Sequence, residues 1–322
     1  MPTPIVGLHH ITAIASDPQR NLDFYTQILG LRFVKRTINF DDPGTYHFYF
    51  GDDVGTPGTI LTFFPWTHMG KGRVGAGEVT ATAFSIPVGS LPFWVERLKG
   101  KSVAFSEGDR FGSRVITLSD PDGMVLELIE HEEKQRANAP RYSEVDPSNA
   151  VQGFHGVTLL ENSLPRTEAL LNLMGLEKVA DENGVVRFAP KGEALGRFID
   201  IQLDPNAPRG RMGAGTVHHI AFRNSDDAAQ AEWQRALSSF VSVTDVQDRT
   251  YFHSIYFREP GGVLFEMATD NPGFLIDEPV ESLGEALRIP EWYEPMREQI
   301  AARLLPIELH KAAQETSLGA AR

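Results

Sequence analysis

The chain contains no cysteine. That absence excludes a disulfide scaffold, a thiolate zinc site, an iron–sulfur cluster and a cysteine nucleophile together. It agrees with a reducing, cytoplasmic setting. No run of about 18 apolar residues occurs, so the sequence offers no helical membrane span. The opening MPTPIVGLHH lacks the basic and apolar stretches of a secretory leader. Positive charge is scarce: 30 Lys and Arg stand against 43 Asp and Glu, for a formal net charge of −13. Nucleic acid and anionic membrane are disfavoured as partners on that ground. What is present is an ordinary globular mixture, 41% hydrophobic and 23% charged, over 322 residues. That length suggests two domains at roughly 150 residues each. Ten His and the acidic excess leave a metal-using enzyme open.

The chain repeats itself. GLHHITAI from Gly7 resembles GFHGVTLL from Gly153, and ILGLRFV (Ile28 to Val34) resembles LMGLEKV (Leu173 to Val179). DRFGSRVITLSDPDGMVLELIE from Asp109 aligns without a gap to DRTYFHSIYFREPGGVLFEMAT from Asp248. In that alignment Arg110 meets Arg249, Pro121 meets Pro260, Gly123 meets Gly262 and Glu127 meets Glu266. Self-similarity of this kind marks repeated supersecondary units. Each begins with a β-rich run, such as LHHITAIA or VHHIAFRN, and continues into a helical stretch. In the first unit Asp17 caps the helix, Pro18 opens it and Gly30 ends it. Strands broken by DDPG, GTPG, DPDG and EPGG turns complete the unit. The fold class is α+β, with four βαβββ modules over 5–66, 77–131, 151–204 and 214–270. Residues 132–150 read as a polar connector. A C-terminal helical extension, 273–322, has helices expected over 283–288 and 291–305 and a frayed end, AAQETSLGAAR.

Two His-His pairs, His9-His10 and His218-His219, fall at matching points on the first strands of modules one and four. Neighbours on a strand point to opposite faces, so one of each pair is expected to enter a cavity; alternation leaves open which. Glu266 sits in VLFEMAT, an otherwise apolar strand, where a carboxylate is costly unless paired or metal-bound. Two imidazoles and a carboxylate are the donor set of non-haem Fe(II) sites that keep open coordination positions.

The motifs LHHITAI, LRFVKRTINFDD, YHFYFGDDVGTPGTILTFFPW, GFHGVTL, VHHIAF and YFREPGGVLFEMATDNPGF carry a resemblance. Together they resemble the vicinal oxygen chelate superfamily (glyoxalase I, fosfomycin-resistance proteins, extradiol dioxygenases). Within it they are most similar to the hydroquinone-type ring-cleaving dioxygenases. The resemblance runs through about residue 310. It implies that modules one and four share one half-barrel cavity and modules two and three the other. It also implies an Fe(II) ion, with Mn(II) as a substitute, on His10, His219 and Glu266. The implied activity is cleavage of a dihydroxyaromatic by O2, in an enzyme forming a homo-oligomer.

The internal alignment sharpens that expectation. Ala81 replaces His219 in module two and Gly156 replaces His10 in module three, while Glu127 keeps the Glu266 position. One metal per chain follows. Aligning module one through Pro57 places Phe63 where a fourth carboxylate would lie. A rival ligand set uses His155 with His219 and Glu266, as in catechol dioxygenases. The resemblance further suggests His9, Thr12, His218, Arg249 and Tyr256 around the metal, with catalytic roles for Tyr256, His218, His9 and Arg249. Substrate contacts are expected from Thr12, Arg249, His253, Phe48 and Phe50. His47 reads as a sheet residue, and His68, His131 and His310 as surface residues. Two other functions fit the same fold: a glyoxalase-like isomerase or thiol transferase, and a non-catalytic binder of quinone-like ligands.

Overall fold

A computed structural model describes residues 2–133 and 137–309. The first segment holds β1 (Leu8–Ala15), α1 (Pro18–Asp23), β2 (Arg32–Ile38), β3 (Tyr46–Gly51) and β4 (Ile60–Pro65). The second holds β5 (Glu78–Ile86), α2 (Leu91–Gly100), β6 (Phe105–Arg110), β7 (Ser113–Ser119) and β8 (Val125–Glu130). The third holds β9 (Phe154–Glu161), α3 (Pro165–Leu173), β10 (Leu176–Glu182), β11 (Val185–Pro190) and β12 (Phe198–Leu203). The fourth holds β13 (Val217–Asn224), α4 (Asp227–Leu237), β14 (Gln247–Asp248), β15 (Phe252–Arg258) and β16 (Leu264–Pro272). A short helix, α5 (Arg297–Ala301), lies beyond them.

The strands make two eight-stranded sheets, each curled into a half-barrel. One runs β14-β15-β16-β13-β1-β4-β3-β2, so the first and fourth segments share it. The other runs β10-β11-β12-β9-β5-β8-β7-β6 and joins the second and third. β1 meets β13 antiparallel at the centre of the first sheet, and β5 meets β9 likewise in the second. Parallel partners flank each centre: β4 beside β1, β16 beside β13. Side chains on the helix side of the strands, including Leu8, Phe50, Phe63, Phe84 and Phe265, form one continuous buried core.

Local chemistry accounts for the element ends. Asp17 accepts the Arg20 amide at 2.8 Å to start α1, and Gly30, at φ +71°, supplies the left-handed turn that leads into β2. Between them the helix loosens to a π-turn at Phe24–Ile28. The C-terminal extension is less helical than its sequence suggests. Residues 283–288 form turns and a bridge between Arg36 and Leu287. The span expected as one helix over 291–305 is a 3-10 segment, Glu291–Met296, followed by the five residues of α5. Pro295 inside that span removes an amide donor and prevents a regular start. AAQETSLGAAR and His310 lie outside the described residues. No helix among those described is long and apolar enough to cross a membrane.

Two irregularities at the sheet centre matter most for the site. Pairing of β1 with β13 runs Leu8 to Phe222 and then His10 to Ala221, which leaves His9 as an extra residue. At the other end it runs Thr12 to His219 and Ala13 to Val217, which leaves His218 extra. Each His-His pair therefore sits on a β-bulge, a device that re-aims side chains. The second sheet repeats both bulges, with Thr80 and His155 as the extra residues.

Candidate metal centre

The first half-barrel brings His10, His219 and Glu266 together. His219 Nε2 lies 3.0 Å and His10 Nε2 3.4 Å from Glu266 Oε2, and the two Nε2 atoms are 3.3 Å apart. All three side chains are buried, at 2%, 5% and 0% exposure for His10, His219 and Glu266.

The bulges put a second imidazole behind each ligand. His9 Nδ1 is 2.9 Å from His10 Nδ1, and His218 Nδ1 is 2.8 Å from His219 Nδ1. Burial, reinforced by His10, holds His9 well below its ordinary pKa, and burial with His219 lowers His218 to about 3. Both are neutral, so each can accept an N–H from its neighbour. That pairing puts the protons of His10 and His219 on Nδ1 and leaves both Nε2 lone pairs free. Glu266 is fixed in the same way: Ser254 Oγ donates to its Oε1 at 2.5 Å. Burial alone would raise the pKa of Glu266; positive charge on His10 and His219, or on a cation held between them and Oε2, keeps it well below the carboxylate range. Its Oε2 is buried and has no hydrogen-bond partner. Three electron-pair donors thus converge on one point with no proton between them. A divalent cation is the group that satisfies such a donor set.

A cavity of about 370 Å³ opens above His10 and His219, with Glu266 buried behind them. Its wall includes Phe40, His47, Tyr49, Phe64, Trp66, Phe252 and Tyr256, with Asp41 and Arg249 among the polar groups. Arg249 Nε donates to Tyr256 Oη at 3.2 Å, and Arg249 Nη2 reaches Asp41 at 3.2 Å. Burial, then the charge of Glu266, push the Tyr256 phenol well up, so it keeps its proton.

Residues 7–128 match the model of the Glyoxalase/Bleomycin resistance protein/Dioxygenase superfamily. Over 308 residues the chain is 50% identical to "Putative ring-cleaving dioxygenase MhqO" of Bacillus subtilis (strain 168), covering 95% of this chain and 98% of that one. The chain belongs to this superfamily. It is also 33% identical to the Chlorohydroquinone/hydroquinone 1,2-dioxygenase of Sphingobium indicum, with 93% and 96% covered. The crystal structure of a "putative dioxygenase" from Bacillus subtilis subsp. subtilis str. 168 superposes with a TM-score of 0.92 at 49% identity, covering 96% of this chain and 99% of that one.

Several residues expected around the superfamily site stand elsewhere. Phe48 and Phe50 point into the core, where Phe50 packs on Tyr25 and Phe33. Their alternating neighbours His47 and Tyr49 face the cavity instead. His253 alternates with Ser254 and Tyr256, so it points outward and meets Asp227 at the start of α4, 2.6 Å away. Thr12 does not reach the cavity; it receives a hydrogen bond from Thr62 at 2.8 Å. His9 backs His10 and meets Phe252 edge-on without lining the cavity wall. His155 belongs to the other sheet and takes no part in this cluster.

The fourth-carboxylate position also shifts by one. Ala221 of β13 pairs with Glu266, and its counterpart Thr12 pairs with Thr62, not Phe63. Phe63 packs against Tyr25 in the core. Thr62 Oγ1 instead bonds His47 Nε2 at 2.8 Å, and His47 Nδ1 bonds Tyr49 Oη at 2.8 Å. The position paired with Thr12 holds Thr62, which carries no carboxylate. Ser254, His47, Tyr49, Trp66 and Phe252 were not among the expected site residues. Ser254 was within reach of sequence reasoning, since it shares the face of Tyr256 two residues away.

Proposed function

We propose that the chain is a ring-cleaving dioxygenase of the extradiol type. It acts on hydroquinone or a related dihydroxyaromatic and inserts both atoms of O2. The observation that carries this reading is the unpartnered Oε2 of Glu266, facing two imidazole Nε2 atoms at the floor of an aromatic cavity. His10, His219 and Glu266 would hold Fe(II), for which Mn(II) is a substitute of similar ligand preference. When bound, the ion supplies Lewis acidity and a template that orients the diol and O2. Three protein ligands, with Thr62 in place of a fourth carboxylate, leave positions open for both reactants. That count speaks against the glyoxalase-like alternative.

The chain's own residues have separate tasks. Phe64, Trp66 and Phe252 bracket a flat ring and keep water out. The volume lies toward the small end of ligand cavities and suits one ring. Tyr256 accepts a hydrogen bond from Arg249 and has Ser254 within reach, and its own O–H can turn to donate to an oxygen anion of the substrate. Arg249, braced by Asp41, supplies a fixed positive charge beside that oxygen. With Nδ1 engaged by His219, neutral His218 presents its other ring nitrogen as a donor at the cavity wall. The named substrate of the Sphingobium relative supports a diol with para hydroxyls.

Anaerobic reconstitution with Fe(II) followed by oxygen uptake tests the reading. Hydroquinone should drive uptake, and the methylglyoxal–glutathione adduct should not be isomerised. His10→Ala, His219→Ala and Glu266→Gln should each lose iron and uptake, while His155→Ala keeps iron. An iron-loaded chain that consumes no oxygen with hydroquinone or catechol would remove the proposal.

A further inference from the structure

The second half-barrel carries another His-Glu-His cluster. His131 and Glu133 follow β8, His155 lies on β9, and each offers a ligand atom within 4.8 Å of the others. His155 occupies the bulge position that His9 holds in the first sheet, but Gly156 follows it, so it backs no adjacent imidazole as His9 backs His10. Its Nδ1 is 3.3 Å from Ser85 Oγ, which itself donates to Glu133 Oε1 at 2.6 Å. Its Nε2 is buried with no hydrogen-bond partner. A buried, uncommitted imidazole nitrogen costs free energy unless a ligand fills it.

The nearby positive charges are already paired: Arg187, which stacks on Phe198 at 4.4 Å, and Arg110 both bond Asp200. His131 packs edge-on to His155 with ring centres 4.9 Å apart, and its side chain is 24% exposed. Phe198 covers the other side of His155 at 4.6 Å. The Arg197 guanidinium stacks on Phe198 and pairs with Glu193 at 3.3 Å, so its charge is already offset.

We propose that His131, Glu133 and His155 form a second divalent-metal site, of the zinc class and separate from the site of His10, His219 and Glu266. Two imidazoles and one carboxylate suit Zn(II), with water completing a tetrahedron. Ligand bonds of about 2.0–2.1 Å set tetrahedral donors roughly 3.3 Å apart, so binding draws the cluster in by about an ångström. His131 and Glu133 lie past the end of β8, outside its pairing with β7. Such an ion would pin the segment leaving β8 to β9, as a structural staple of the second half-barrel.

Zinc counting tests this. The metal-stripped chain is loaded with excess Zn(II), freed of unbound ion, and its zinc per chain measured by mass spectrometry. The unsubstituted chain should hold two ions. His131→Ala, Glu133→Gln and His10→Ala should each hold one, and the His10→Ala/His131→Ala double variant none. Because His131 is partly exposed, its replacement should leave the circular dichroism spectrum intact. As a second readout, zinc should raise the Tm of His10→Ala and leave that of the double variant unmoved. The proposal is overturned if His10→Ala binds no zinc, or if His131→Ala and Glu133→Gln bind as much as the unsubstituted chain.

Discussion

Arg110 sets one guanidinium nitrogen 2.9 and 3.0 Å from the two carboxylate oxygens of Glu127. Glu127 pairs with Ala83 as Glu266 pairs with Ala221, so the two carboxylates hold the same place in their sheets. Asp200 stands at the Thr62 position, and Arg110 bonds it at 2.7 Å while Arg187 adds two bonds at 2.8 and 2.9 Å. The second cavity has thus lost both imidazoles and meets its two carboxylates with two guanidiniums. The first cavity keeps one carboxylate and two neutral imidazoles. Arg249, in the Arg110 position, turns to Tyr256 and Asp41 instead. At the Glu127 and Asp200 position the chain supplies its own counter-charge; at the Glu266 position it offers only two imidazoles.

Replacing Arg110 with Met should therefore damage stability and spare the metal centre. Removing one partner of a buried ion pair leaves an uncompensated charge, at a cost of about 3–5 kcal/mol. Urea denaturation of Arg110→Met should show a loss of that order, with iron content unchanged. A loss near zero would mean that Glu127 and Asp200 are neutral in the folded chain.

Ser254→Ala frees Glu266 Oε1 from its donor while leaving all three ligands in place. Groups that orient ligands are typically worth about 10- to 100-fold in metal affinity. Anaerobic Mn(II) titration should show a weakening of that size. His218→Phe should do the same through His219, whose Nδ1 proton it would orphan. Unchanged affinity in both would show that the ligands are held by packing alone.

Much of this was legible because the chain repeats. The gapless match of 109–130 to 248–269 places Glu127 and Glu266 at equivalent points, and the register agrees. Strand alternation was also available for His47 against Phe48, and for His253 against Ser254. The bulges were not legible. A bulge is one residue of slip in a partner 209 residues away, and no local signal marks it. That is why both members of each His-His pair serve one side of the sheet, against plain alternation. The one-residue error at Phe63 has the same origin: turns of unequal length separate Pro57 and Pro260 from their strands, so only the ladder reveals Thr62.

Tyr256→Phe should keep iron and lose turnover. The Tyr256 ring lies edge-on to His219 with ring centres 5.7 Å apart, but its hydroxyl meets Arg249 and faces the cavity. Loss of one preorganised donor to a developing oxyanion costs about 100-fold or more in rate. Oxygen uptake with hydroquinone should fall by roughly that factor in kcat, with little change in KM. A rise in KM at constant kcat would assign the phenol to substrate binding alone.

Stability should also fall with rising pH for a reason remote from the metal. Burial, and next the charge of Glu259, push the Glu161 carboxyl up to about 8. One oxygen of Glu161 is buried without a partner, and Glu259 accepts from Thr167 at 2.7 Å nearby. In the folded chain the Glu161–Glu259 pair therefore holds one proton at neutral pH, while the unfolded chain releases it near pH 4.5. Between those values the native state binds the extra proton, so raising pH favours unfolding. The contribution of Glu161 is full below about pH 4.5, declines by at most about 1.4 kcal/mol per unit, and is lost as pH passes about 8. Glu161→Gln places a neutral group of the same shape there and should flatten the decline. Denaturant midpoints from pH 5 to 9 on both proteins make the comparison, and parallel curves would mean that Glu161 is ionised in the native state.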